Sequence, residues 1–368
     1  MTMNVKVITR HAPVNYGSLL QSIATVKALE NLGAQCEIID YQRPDEMGLL
    51  AVLTDLHKKA NWNSCFWKRL AYIVLRHPEG KLGELFFKKM RNKYLKKTQL
   101  ITNYEDLKKL EADVFLTGSD QVWGPMQNGK YDQAYFLAFV PHNIKKVAYA
   151  ASFGKANFEQ DVVDTYKKML SSYAGITVRE NRADDLLHEW NIPSLGQVLD
   201  PTLLLKGDVW SKFIKKEIKG RFVLVYEIHN NHILDDYALR FSKHIGLPLI
   251  RISAILHQIN RGGRFIYMPD VSEFLAYVKN CSYLITDSFH GTAFGLNFNK
   301  QIIEIMPNNA TGSRNLSILQ LTKLTDRIVT DYSDFSLADK AIDYSKVNAI
   351  LDQEREKSIL KLKQLLEL

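Results

Sequence analysis

Two segments of the sequence place acid–base side chains directly after an apolar run. Tyr283-Leu284-Ile285-Thr286 leads into Asp287-Ser288-Phe289-His290-Gly291 and then into small residues. A strand ending at Thr286 leaves Asp287, Ser288 and His290 at its carboxyl end, and a helix starting there aims backbone N–H groups at an anion. An imidazole beside that anion can donate a proton or neutralise charge. The plainer reading is that Asp287 and Ser288 cap the helix and His290 is satisfied locally. Val114-Phe115-Leu116-Thr117 followed by Gly118-Ser119-Asp120-Gln121 repeats the design. Gly118 and Ser119 allow close backbone approach to a ligand, and Asp120 and Gln121 offer polar contacts. The plainer alternative is an ordinary strand-ending turn with Trp123 in the core.

Two arginines suit a doubly charged anion. Arg179 ends the run Ile176 to Arg179, and Arg314 follows Gly312-Ser313 at the mouth of a predicted helix. A guanidinium forks onto a carboxylate or phosphate, although an ion pair of Arg179 with Glu180 or another acid is the commoner use. Asn15-Tyr16-Gly17-Ser18 sits where Rossmann-like folds bind phosphate. It lacks G-x-G-x-x-G, so no dinucleotide is indicated. Ser18 as a simple N-cap is the alternative.

Val5 to Thr9 reads as a strand, Leu19 to Leu32 as a helix closed by Gly33, and Cys36 to Tyr41 as a second strand. Val114 to Thr117, Val147 to Ser152 and Ile176 to Arg179 continue this parallel α/β series. After the Lys-rich stretch Lys212 to Arg221, Phe222 to Ile228, Leu249 to Ile252, Phe265 to Tyr267, Tyr283 to Thr286 and Gln301 to Ile305 form another. The expected domains are residues 1–205 and 206–344, with a helix over 345–368 packing back across both. Two doubly wound domains place a ligand crevice at the carboxyl ends of their strands.

The 368 residues carry 48 Lys and Arg against 40 Asp and Glu, and 46% are hydrophobic. Disordered and collagenous chains are excluded. Cys36, Cys65 and Cys281 are too sparse for a disulfide framework or a Cys-ligated zinc site, so a reducing compartment is expected, and no metal cluster is seen. The start lacks a secretory signal and no apolar stretch is long enough to span a bilayer, so a cytoplasmic protein is expected. The net charge of +8 is concentrated: residues 57–97 hold 12 Lys and Arg and two acids, a local +10. Trp62, Phe66, Trp67, Tyr72, Phe86, Phe87 and Tyr94 lie among these bases. That mixture fits a nucleic-acid surface, an interfacial membrane patch, an acidic acceptor, or two amphipathic helices with a solvated face. No RNA-binding signature is present, so nucleic acid is disfavoured.

In this order, Asn15 to Gln21 (NYGSLLQ), Gly118 to Trp123 (GSDQVW), Tyr149 to Gly154 (YAASFG), Val178 to Glu180 (VRE), Leu199 to Thr202 (LDPT) and Asp287 to Gly291 (DSFHG) resemble the polysaccharide pyruvyltransferase family. The resemblance spans about Asn15 to Arg314. It implies an α/β fold of two Rossmann-like domains facing a cleft, similar to GT-B glycosyltransferases. The implied activity is transfer of the carboxyvinyl unit of phosphoenolpyruvate onto two hydroxyls of a sugar as a pyruvate ketal, with phosphate released. A galactose-type residue of a polyprenyl-diphosphate-linked surface polysaccharide (capsule or exopolysaccharide) is the implied acceptor. Phosphoenolpyruvate is the donor and no cofactor is needed. The implied site has His290, Asp120 and Asp287 in catalysis. Arg179, Arg314, Asn15, Gly17, Ser18, Gly118, Ser119 and Ser288 bind substrate. Family members often carry an Arg two residues before the motif His, where this sequence has Ser288. Arg314 is expected to supply that charge. Residues 57–97 become a peripheral contact with anionic membrane at the inner face of the cell membrane. A GT-B glycosyltransferase using a nucleotide sugar, and a non-catalytic binding protein of the same fold, stay open as alternatives.

Overall fold

Short strands buried on both faces form two five-stranded parallel sheets in the computed structural model, which describes residues 2–126, 130–155, 157–307 and 312–367. Met1 and Leu368, which the expected domain ends include, lie outside the described residues. The first sheet is built from β1 (Asn4–Ile8), β2 (Gln35–Ile38), β3 (Val114–Thr117), β4 (Lys145–Ala151) and β5 (Gly175–Val178), in the order β2-β1-β3-β4-β5. The second contains β6 (Val223–Tyr226), β7 (Leu249–Ser253), β8 (Arg264–Tyr267), β9 (Tyr283–Thr286) and β10 (Gln301–Glu304), in the order β10-β9-β6-β7-β8. Every strand pairing is parallel, as helical crossovers between strands require.

The chain divides into two compact units. The first comprises Met1–Arg179, Ala183–Gln197 and Lys361–Leu368, and the second Glu180–Arg182 and Val198–Leu360. The changeover comes at Gln197/Val198, earlier than the expected residue 205. Hydrogen bonds explain the difference. The Leu199 N–H donates to Ser358 Oγ (3.0 Å), and Trp210 Nε1–H and Asn297 Nδ2–H both donate to the Thr202 carbonyl (3.0 and 2.8 Å). These bonds hold residues 199–202 within the second unit. The last helix is Tyr344–Leu366; its residues up to Leu360 belong to the second unit and those from Lys361 to the first.

The first unit's core is strongly aromatic. Trp123 is fully buried and stacks on Phe136, with Phe153 tilted against it at 5.1 Å. Trp123 therefore has the core role of the plainer reading. The second unit's core is aliphatic and aromatic around Val225, Ile285, Tyr237 and Phe241.

The basic segment is helical. Helix α1 (Tyr16–Asn31) belongs to the strand-helix-strand opening, α2 (Gly48–His57) ends where the segment begins, and α3 (Phe66–Tyr94) runs through it. Between α2 and α3 the buried cluster is small, comprising Val52, Leu56 and Tyr72. Further along, Phe87 packs on Tyr16 and the buried Arg91 donates to the Ala12 carbonyl at 2.8 Å. Among the described residues no helix is long and apolar enough to cross a membrane. Cys36 and Cys281 are buried and unbridged, and burial pushes both thiols up to about 12, which removes them as nucleophiles.

Candidate active site

Strand order decides where a ligand can sit. In the first sheet the chain goes from β1 to β2 on one side and reaches β3 on the other. In the second it goes from β6 to β7 on one side and later to β9 on the other. Crossover helices then diverge at β1/β3 and at β6/β9, leaving a crevice at the strand carboxyl ends. Most of the residues with chemistry gather at those two places.

In the first unit, Asn15 caps α1: its Oδ1 accepts the N–H of Gly17 (2.7 Å) and of Ser18 (3.4 Å). Asn15, not Ser18, is thus the cap, and the Ser18 hydroxyl is directed instead to Asp120 Oδ2 (2.9 Å). Asp120 follows β3 with φ +78°, a left-handed conformation disfavoured for residues with a Cβ but best tolerated by Asn and Asp. It is held there because its carbonyl accepts from Val122 and Ser152, and its Oδ1 accepts the Gln121 N–H. Strain retained at a strand end is common where a side chain must be aimed. Gly154, at φ +66°, passes so close to Gln121 that a Cβ would lie 2.8 Å from its Nε2. Arg179 follows β5, with its side chain only 1% exposed, and reaches Asp120 Oδ1 at 3.7 Å. Ser119 offers its carbonyl to Thr9 Oγ1–H (2.7 Å), and Gly118 lies against Val7 and Thr9. The structure thus joins Ser18, Asp120 and Arg179 and gives Asn15, Gly118 and Ser119 supporting roles.

In the second unit, Ser288 is the N-cap of the helix Phe289–Asn297, accepting the Gly291 N–H at 3.3 Å. A Cβ at Gly291 would lie 2.3 Å from Thr286 Oγ1, so only glycine lets this helix start settle onto β9. Asp287 does not cap. Its carboxylate accepts the N–H of Ile228 (2.9 Å) and of His229 (3.1 Å), and lies 3.0 Å from His229 Nδ1. It therefore bridges β9 to the loop after β6 and orients His229, not His290. The carboxylate facing His290 is Asp200, with its Oδ2 3.9 Å from Nε2. Asp200 is fixed by Thr202, whose N–H and hydroxyl both donate to its other oxygen (2.9 and 2.7 Å). The site thus has two imidazole–carboxylate pairs, His290 with Asp200 and His229 with Asp287. Asp120 belongs to the first unit.

Arg314 is the second residue of the helix Ser313–Leu321 and is largely buried. Its neighbour Asn315 donates to the Asp287 carbonyl (3.2 Å) and to Glu304 Oε1 (2.5 Å), which ties that helix start to the Asp287–His290 turn. Glu304 has no exposed surface. Burial pushes its carboxyl up to about 8. The proton count agrees. Thr292 Oγ1 lies 3.1 Å from the Ser288 carbonyl and 2.6 Å from Glu304 Oε2, and one hydroxyl proton cannot serve both. A protonated Glu304 donating to Thr292 lets Thr292 donate to Ser288.

A test follows from the sign of this shift. The unfolded chain loses the Glu304 proton near 4.5 and the folded chain near 8, so stability falls as pH rises between those values. The total is on the order of a few kcal/mol. Glu304→Gln keeps both hydrogen bonds without a titrating proton, and should flatten the fall in Tm between pH 5 and 8. Equal slopes for both proteins in melting curves across that range would rule the assignment out.

Residues 15–308 match the polysaccharide pyruvyl transferase family. The chain belongs to that family. This pyruvyl transferase family member matches no curated protein, but its fold has clear relatives among solved structures. The S. aureus MnaA–UDP co-structure aligns over 100% of this chain and 98% of its own, at 13% identity and TM-score 0.55. The UDP-GlcNAc 2-epimerase from Neisseria meningitidis bound to UDP-GlcNAc aligns over 100% of both chains, at 11% identity and TM-score 0.50. The fold of this pyruvyl transferase relative is GT-B-like, with two Rossmann-like parallel sheets.

Residue typing had not singled out His229, Asp200, Glu304 or Asn315. His229 follows the expected strand Phe222 to Ile228 as Asp287 follows Tyr283 to Thr286, so the same logic finds it. Asp200 lies in Leu199-Asp200-Pro201-Thr202, noted for family likeness but given no role. The loop carrying His229 is anchored by a buried charge cluster: Glu227 receives Arg251 (2.9 Å) and Arg261 (2.8 Å), and Arg251 also pairs with Asp235 (2.7 Å).

Proposed function

We propose that this chain transfers the carboxyvinyl unit of phosphoenolpyruvate to two hydroxyls of one sugar, forming a pyruvate ketal and releasing phosphate. Family membership supports the transferase class. The observation that carries the chemistry is His290, backed by Asp200 at 3.9 Å beside the β6/β9 switch point. A proton delivered to C3 makes C2 cationic in character, and a sugar hydroxyl adds there and gives up its proton. The second hydroxyl then displaces phosphate from C2, its proton passing to the departing phosphate, and the ring closes. His290 is the acid that serves C3 or the phosphate, and Arg179 and Arg314 hold the carboxylate and phosphate. The donor is itself a substrate, and the reaction calls for no metal or organic cofactor. The acceptor is a galactose-type residue of a polyprenyl-diphosphate-linked repeat unit, so the enzyme works at the inner face of the cell membrane.

Incubation with phosphoenolpyruvate and free or lipid-linked β-galactosides should release phosphate and add the mass of pyruvate less water to the acceptor. Arg314→Ala should weaken phosphoenolpyruvate binding; unchanged affinity and turnover would remove Arg314 from the site. The second reading is a nucleotide-sugar transferase, favoured by the UDP named with the S. aureus neighbour. A thermal shift with UDP or GDP and none with phosphoenolpyruvate would select it.

A further inference from the structure

Helix α3 shows an apolar side to solvent. Trp67, Leu70, Val74, Leu75, Leu82 and Leu85 are all between 42% and 74% exposed, while Tyr72, Phe87 and Met90 are buried. Apart from the adjacent Val74 and Leu75, the exposed residues recur at intervals of three, four and seven, so they share the side of α3 turned away from Tyr72 and Phe87. Soluble surfaces rarely show so continuous an apolar stripe without a use for it. Lys81, Lys88 and Lys89, also exposed, stand among these residues. The only acids between residues 57 and 97 are engaged: Glu79 pairs with Arg76 at 2.8 Å, and Glu84 accepts the Gly48 N–H at 3.3 Å.

From this face we infer that α3 lies flat in the surface of an anionic lipid bilayer. Trp67, Val74 and Leu75 enter the acyl boundary and Lys81, Lys88 and Lys89 sit at the headgroups. An apolar face alone would equally suit a second copy of this chain. Self-pairing of this face, however, brings two segments of net charge +10 together, and like charges face each other across an isologous contact. An anionic surface is complementary to the same charge. The inference concerns the surface of α3 alone and stands whether or not phosphoenolpyruvate is the donor.

The test is sedimentation of the full chain with vesicles of phosphatidylcholine, with and without about one-third phosphatidylglycerol. Binding should require the anionic lipid and weaken as salt is raised from about 0.1 to about 0.5 M. A triple Ser variant at Trp67, Val74 and Leu75, and a triple Glu variant at Lys81, Lys88 and Lys89, should each bind roughly tenfold more weakly or worse. Their melting curves should be unchanged, because all six side chains are exposed. Three results would overturn the inference: no anionic-vesicle binding by the unsubstituted chain, equal binding of the triple Ser variant, or a dimer in light scattering that the triple Ser variant converts to monomer.

Discussion

His290→Gln is expected to lower kcat for phosphoenolpyruvate-dependent phosphate release by about two to four orders of magnitude, the range for loss of a positioned general acid. Gln is of similar size and keeps a donor, but it cannot titrate. The ring is 8% exposed, packs edge-on to Phe289 at 5.1 Å and faces Asp200 across 3.9 Å, so a side chain of this size is accommodated and Tm should move by only a few degrees. Asp200→Asn provides the companion measurement. The carboxylate favours the imidazolium, so its neutral replacement should move the high-pH limb of the rate profile to lower pH, with a smaller fall in kcat. A purely structural His290 would give a lowered Tm in both variants and a rate profile of unchanged shape. His229→Gln separates the two imidazoles. If His229 is the acid, it takes the large loss in kcat and His290→Gln stays active.

The strands were legible because burial on both faces leaves continuous apolar runs: β3 and β9 have the ends expected from sequence, and most others agree within two residues. Strand order was not legible, since it is set by pairings such as Val225 with Ile285, 60 residues apart. The polar partners were hidden for the same reason. Asp120 and Asp287 are the catalytic acids that the resemblance implies, yet the Asp287 carboxylate turns to His229, because β9 lies beside β6. Asp200 comes to His290 from 90 residues upstream, where in sequence it is only part of Leu199-Asp200-Pro201-Thr202 and in the structure also caps the short helix from Pro201. For Ser18 the sequence leaves a phosphate-binding turn and a simple N-cap open, since Ser commonly caps. Asn15 takes that bond, and the freed hydroxyl meets Asp120. In α3 the apolar and basic residue types were plain, but which of them face outward depended on where α2 and Tyr16 pack.

Arg179 gives the second large effect, and its test separates an anion clamp from an ordinary ion pair. Arg179→Lys keeps the charge but loses the planar fork, and should raise KM for phosphoenolpyruvate by about ten- to a hundredfold with little change in Tm. Arg179→Ala should act on both quantities. Removing one partner of a fully buried pair typically costs about 3–5 kcal/mol. Asp120 retains 13% exposure, so solvent screens it and the loss should be nearer 2 kcal/mol. Adding Asp120→Asn removes the stranded charge while keeping a residue that tolerates φ +78°. The double variant should therefore regain most of its stability. If the guanidinium served only Asp120, KM would recover with Tm. If it holds the donor's carboxylate or phosphate, Tm recovers and KM does not, since the anion still lacks its cation.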